Sequence, residues 1–276
     1  MPVLVTSASG ANGNGHGALL AFDRDGKPLG VFSDDSRIVD PRGLALDEKE
    51  RLLFLNSADR VLALDAAGRV VRDTGVIADL NPGGGVFGPA GRYYAGLRSA
   101  RTILALPPDL KSAGEYALPP GIVPFPRGFG FNAEGRLFLA SGIGPHGEGD
   151  DAIVAFAPPD RTRPERLVEH DPDLSPLDLI VAPNGNVVVS SERPFGAPDA
   201  VTTVREYNPE SGRLVRVFSA KGIAAFRKPR GLRFGPEGNL YCVAQDEVVA
   251  FDFASGRCLG AIVQLPRLYG QAVVFF

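Results

Sequence analysis

The apolar positions of this chain fall in short alternating runs, among them VLVTSAS, GALLAFD, VLALD, VVAFD and NLYCVAQ, each bounded by glycine, proline, asparagine or aspartate. A run of that length with a period of two presents one side to a core, so each predicts a β-strand and not a helix. Four segments show how the runs are organised: PRGLALDEKERLLFLNSADRVLALDAAGRVV from Pro41, PRGFGFNAEGRLFLASG from Pro126, SPLDLIVAPNGNVVVSSE from Ser175, and PRGLRFGPEGNLYCVAQDEVVAFDFASGRCLGAIV from Pro229. The shared unit is Pro-Arg-Gly, an apolar run, a glycine-containing turn, a second run, a connection, a third run, and a fourth after glycine. It predicts a four-stranded meander with strands A to D.

A weaker copy begins at Pro82, and the unit prolines Pro41, Pro82, Pro126, Pro176, Pro229 and Pro266 are 37 to 53 residues apart. That spacing fits propeller blades of roughly 40 to 50 residues. After Pro266 only one strand remains, in LYGQAVVFF, whereas the N-terminal VLVTSAS, GALLAFD and PLGVF supply strands B, C and D. The last strand is therefore expected to serve as strand A of the first blade. The expected fold is all-β: a six-bladed β-propeller of four-stranded antiparallel blades, a single domain over residues 1–276, with its edge strands hidden by closure.

Composition narrows the picture. At 276 residues with 44% hydrophobic content, the chain can bury a substantial core. A net charge of −3 and a pI near 5.7 argue against a nucleic-acid partner, which needs a basic surface. No stretch approaches the roughly 18 apolar residues that span a bilayer, and the start MPVLVTSASG lacks the basic and apolar regions of a secretory signal. No membrane partner and a cytoplasmic location are expected; the oligomeric state is left open, a monomer being compatible. Cys242 and Cys258 are placed on the second and fourth strands of one blade, about 10 Å apart and beyond the roughly 7 Å reach of a disulfide, so both are expected to be reduced.

The blade pattern sorts the polar residues by face. The connection into strand A and the B-to-C connection emerge on the same side, and blades one, four and five carry long B-to-C connections, SASGANGNGHGA, SGIGPHGEGDDA and SSERPFGAPDA. Insertions on one face are where a propeller builds a pocket. All three histidines fall there: His16, His146 and His170. Each is a candidate acid or base, because imidazole titrates near neutrality. His146, Glu148 and Asp150 alternate in the blade-four loop, a donor set suited to a divalent ion, calcium or magnesium before zinc. The plainer reading of GPHGEGDD is an exposed glycine-rich connection.

A second constellation is the repeated Pro-Arg-Gly. Arg42, Arg127, Arg230 and Arg267 stand at the start of strand A in four of six units, where strands converge on the central channel. Turned inward, they form a cationic rim for a carboxylate or phosphate; turned aside, they bond backbone carbonyls or acidic neighbours. Glu169, Asp171, Asp173 and Asp178 are expected to neutralise part of such a rim. Glu192, Arg193 and Tyr269 complete the expected lining. Blade five departs from the motif with Leu177-Asp178, and blade three with Gly83-Gly84-Gly85, so the ring is asymmetric as a site for one small ligand would be.

PRGLALD, PRGLRF and PEGNLYCVAQDEVVAFDFASG resemble the NHL repeat and its relatives, the gluconolactonase-like (senescence-marker-protein-30-like) and streptogramin-lyase-like propellers, over nearly the whole chain. The resemblance implies the propeller fold and leaves function open, because one fold hosts hydrolases, lyases and binding modules. Gluconolactonase-like enzymes hold a divalent cation with Glu, Asn and Asp from inner strands; the Glu is missing from LYGQAVVFF, where Gln271 is the nearest polar residue. Streptogramin-lyase-like proteins use histidines and a glutamate with magnesium, yet the last blades here contain no histidine. Two functions follow as expectations. One is a small-molecule hydrolase or lyase acting on an anionic ester- or lactone-like substrate, with histidine as acid or base, arginines holding the anion, and Glu148 with Asp150 holding any cation. The other is a noncatalytic module that recognises a peptide, protein or metabolite on the same face.

Overall fold

In the computed structural model the chain forms six sheets of four antiparallel strands. The structure describes residues 2–8, 16–78, 80, 82–112, 114–123, 125–143, 151–158, 161–168, 171–222 and 226–276. Blade one contains β1 (Val3–Ser7), β2 (Ala18–Phe22) and β3 (Pro28–Ser33). Blade two is β4 (Gly43–Asp47), β5 (Leu52–Asn56), β6 (Val61–Leu64) and β7 (Val70–Asp73). Blade three is β8 (Pro82–Phe87), β9 (Tyr93–Leu97), β10 (Thr102–Leu106) and β11 (Glu115–Tyr116). Blade four is β12 (Pro126–Phe131), β13 (Leu137–Ser141), β14 (Ala152–Phe156) and β15 (Pro164–Val168). Blade five is β16 (Pro176–Val181), β17 (Val187–Arg193), β18 (Val201–Tyr207) and β19 (Leu214–Phe218). Blade six is β20 (Pro229–Phe234), β21 (Leu240–Ala244), β22 (Glu247–Phe251) and β23 (Cys258–Gln264), and β24 (Gly270–Phe275) pairs antiparallel with β1 to complete blade one.

The expected propeller and its closure are thus observed. Closure is held by more than the ladder: Thr6 Oγ1 accepts from the Ala272 N–H at 2.9 Å, and Ser7 Oγ donates to the Leu268 carbonyl at 2.8 Å. Six apolar clusters each join neighbouring blades, for example Val5, Phe22, Val243 and Val273 between blades one and six. The outermost strands are different: β3 and β19 are mostly exposed, and outer strands carry Pro28, Pro164, Glu165 and Arg216, residues that discourage pairing with another chain. Cys242 is on β21 and Cys258 on β23, and both are free thiols. Among the described residues no helix is long and apolar enough to cross a membrane.

Crowding at the axis explains the repeated glycine. A Cβ on Gly128 would lie 2.5 Å from Asp178 Cα, and one on Gly231 would lie 2.6 Å from the Gln271 carbonyl oxygen. The inner strands approach so closely that the motif's third position tolerates almost no side chain. The residue before it, one position along the strand, points elsewhere, and there the arginines stand.

Candidate functional site

Strand register decides which side chains reach the mouth of the channel. Pro82, Pro126, Pro176, Pro229 and Gly270 each pair with the end region of strand B in their own blade. The residues that follow them are therefore equivalent: Gly83, Arg127, Leu177, Arg230 and Gln271. Arg42 holds the motif position in blade two, its N–H donating to the Asn56 carbonyl at 3.0 Å. Arg267 does not belong to this set. A shift of four positions in the turn between β23 and β24 places Gly270, and not Pro266, at the proline position; Arg267 is left exposed with φ 66° ahead of the strand.

A cavity of about 850 Å³ opens on the face shared by the A-strand starts and the B-to-C connections. Arg42, Arg127 and Arg230 line it, with Leu177 and Gln271 at the two departing positions. Blade three, which has glycine at its motif position, contributes Arg98 instead, from the turn directly after β9. Blades four and five add Phe125, Ile143, Asp151, Ser175, Arg193 and the Pro194-Phe195 corner.

Three guanidiniums and two rings alternate around this wall. Arg98 lies over Phe125 at 5.3 Å, Arg127 over Phe125 at 5.7 Å and over Phe195 at 4.6 Å, and Arg230 over Phe195 at 5.7 Å. Each such contact is worth roughly 0.5–2 kcal/mol, more as water is excluded. Arg127 is only 4% exposed; it donates one bond, to the Ile143 carbonyl at 3.3 Å, and its Nε is buried without a partner. Gly142 makes room for it, since a Cβ there would collide with that Nε.

The charges on this wall are unevenly matched. Arg42 pairs with Asp40 at 2.7 Å, Arg193 with Asp151 at 3.0 Å, and Arg230 with Glu192 at 3.6 Å, an ion pair too long for a hydrogen bond. Arg98 and Arg127 form no ion pair with a carboxylate among the described residues. Burial pushes Arg98 down to about 9, with repulsion from Arg42, Arg127 and Arg230 adding to it and Asp40 opposing it, and burial pushes Arg127 down to about 10 against the attraction of Asp151 and Glu192. Burial lowers Arg230 as well. Guanidiniums so placed still hold their protons at neutral pH. Asp151 is shifted the other way: burial raises its carboxyl, although Ser175 donates to it at 3.1 Å and Arg193 at 3.0 Å.

Below the mouth the channel narrows to a waist of about 60 Å³, space for a water molecule or two. Its walls include Asp178 and Arg233. Asp178 accepts from the Leu232 N–H at 2.7 Å and is pushed up to about 6 by burial. Arg233 donates to the Leu44 carbonyl at 2.6 Å and ties blade six to blade two, a structural role. A second cleft of about 500 Å³ shares Arg230 and Gln271 with the mouth and is lined by Lys228, Gln245 and Tyr269, the last 43% exposed.

The structure thus brings Arg42, Arg127, Arg230 and Glu192 together, puts Tyr269 in the adjoining cleft, and leaves Arg267 outside. His16 is exposed next to β2 and does not line the cavity. His146, Glu148, Asp150, Glu169 and His170 lie outside the described residues. Asp171 and Asp173 do not neutralise the rim: both bind Arg205, at 2.7 and 3.3 Å, and Asp171 also accepts from the Tyr207 hydroxyl at 2.7 Å. Arg98, Phe125, Asp151, Ser175 and Phe195 are not among the residues singled out from sequence as lining. The available signal for Arg98 was an arginine directly after strand B in the one blade whose motif has glycines throughout.

A resident divalent cation does not suit this mouth as described. Among the described residues no group of three or more His, Cys, Asp or Glu side chains is placed to hold a metal. The surrounding guanidiniums would also repel a cation.

No protein-family model matches the sequence, and no curated protein matches it. Solved structures do share the fold. A chain of a nidogen–laminin complex is 14% identical with TM-score 0.73, covering 99% of this chain and 97% of that one. A gluconolactonase from Xanthomonas campestris is 20% identical with TM-score 0.62, covering 96% of this chain and 85% of that one. A streptogramin B lyase is 14% identical with TM-score 0.59, covering 81% and 69%. At these identities the likeness is one of fold: a lactonase, a lyase and a chain of a nidogen–laminin complex share the same propeller architecture.

Proposed function

We propose that the channel mouth is an organic-anion site and that the protein acts there as a hydrolase or lyase on a small ester- or lactone-bearing anion. The observation that carries the reading is the arginine–phenylalanine wall, in which the buried Arg127 and the half-buried Arg98 form no ion pair among the described residues. The cavity volume suits a small molecule, and Ile143, Leu177 and Pro194 offer apolar surface for its uncharged part. In this reading the guanidiniums hold the anion and meet negative charge developing on a carbonyl oxygen. Asp151, buried and raised, is the proton acceptor on the same wall. His146, whose loop joins the lining residues Ile143 and Asp151, is a second proposed acid or base. The lactonases and the lyase among the fold's neighbours support that class of reaction.

The test has two arms. Thermal unfolding with benzoate and related carboxylates should show stabilisation that Arg127→Gln removes. Turnover on a panel of carboxylate-bearing esters and lactones should be lost in Asp151→Asn while anion binding persists. Anion binding without turnover on any member would leave a noncatalytic receptor for the same ligands. Absence of any anion binding would overturn the site itself.

A further inference from the structure

Not every carboxylate would satisfy this mouth equally. Three of its five arginines already have an acidic neighbour: Arg42 has Asp40, Arg193 has Asp151, and Arg230 has Glu192. Arg98 and Arg127 form no ion pair among the described residues, feeling only the more distant Asp40 and the Asp151 and Glu192 carboxylates respectively, and the Nε of each is buried without a hydrogen-bond partner. Arg98 is held over Phe125, and Arg127 between Phe125 and Phe195, its Nε against Gly142.

Resting on the reading of the mouth as an anion site, we propose that its ligand carries two negative charges in its headgroup, as a phosphate monoester or a dicarboxylate does, and that Arg98 and Arg127 select for the second charge. A single carboxylate would pair with one guanidinium and leave the other without an ion pair among the described residues, the less favourable arrangement. A dianion matches both, and arginine's planar fork suits either oxygen geometry. Arg42 and Arg230, already paired, supply hydrogen-bond donors at the edges and not the net charge.

Calorimetric titration at pH 7.5 and fixed ionic strength with two matched probe pairs tests this: phenyl phosphate against its methyl diester, and phthalate against benzoate. At least one dianion should bind about tenfold or more tighter than its monoanionic partner, the worth of one charge-assisted hydrogen bond. Which pair shows the larger gap identifies phosphate or dicarboxylate as the headgroup. Arg98→Gln and Arg127→Gln, each confirmed folded by circular dichroism, should bring the ratio toward one, whereas Arg98→Lys should keep most of it. Because a phosphate monoester dianion takes up a proton and becomes a monoanion near pH 6, a phenyl phosphate preference should also shrink at pH 5. Equal binding of monoanions and dianions, or a ratio that survives both glutamine substitutions, overturns the inference and leaves the anion site standing. Failure of all four probes to bind overturns both.

Discussion

Asp178 shows how a single departure from a repeat alters a site. Its blade has Leu-Asp where others have Arg-Gly, and the carboxyl therefore sits at the waist of the channel, against the backbone of Gly128. Its folded value of about 6 lies above the ordinary 3.8 because burial penalises the charged form. In the unfolded chain the group ionises near 4, so its stabilising contribution is complete below that pH and is lost as pH rises through about 6. Asp178→Asn keeps an acceptor for the Leu232 N–H and removes the titration. The stability of the natural protein relative to this variant should fall by about 2 kcal/mol between pH 4 and 7.5, as the carboxyl goes from 3.8 unfolded to about 6 folded. Urea unfolding at fixed ionic strength reads the difference; a pH-independent gap would refute the assignment. The rim was legible at this scale only where chemistry followed the repeat. Arg42, Arg127 and Arg230 share one motif and one strand position, but Arg267 shares only the Pro-Arg pair, because it lies within the turn, ahead of the strand. Arg98 has no motif and arrives through a turn, so only the assembled ring reveals it.

At the scale of the element, the inner strands carry two demands at once, close approach to the axis and presentation of a side chain to the mouth. Within β12 the first falls on Gly128 and the second on Arg127. Gly128→Ala would drive a Cβ to 2.5 Å from Asp178 Cα, a backbone atom that cannot rotate away. Gly130, two residues on, has its nearest neighbour at 3.4 Å, the Val181 nitrogen, ordinary contact. The first substitution should cost about 1–3 kcal/mol or more by overpacking, and the second should change stability by less than about 0.5 kcal/mol. Denaturant midpoints of the two variants make the comparison, and equal costs would show that crowding does not explain the motif glycine. Strands themselves were readable, since short alternating runs between turn residues leave few alternatives. Sites on B-to-C connections were not: Phe195 reads as an exposed aromatic in a loop, and only its position beside Arg127 and Arg230 gives it a purpose.

For the whole molecule, closure matters more than any one blade, because each apolar cluster is shared by two neighbours and no blade buries its faces alone. β24 contributes Val273 and Phe275 to the cluster with blade six, and Ala272 and Val274 to the cluster with blade two. Deleting residues 270–276 would open both clusters and expose the edge of β1 to other chains. Loss of cooperative unfolding and concentration-dependent aggregation should follow. A circular permutant separates closure from chain order. The Phe276 N–H donates to the Pro2 carbonyl at 3.0 Å, so these two positions can be bridged by a short glycine linker, with new ends cut in the exposed turn at Ser255 of blade six. This permutant keeps every strand pair and converts the hydrogen-bonded seam into a covalent one. Its melting temperature should stay within a few degrees of the natural chain, since tolerated cuts fall at exposed turns, whereas the deletion should not melt cooperatively at all. Comparable loss of stability in both would mean that the connectivity of blade six, and not the seam at β24, holds the ring together.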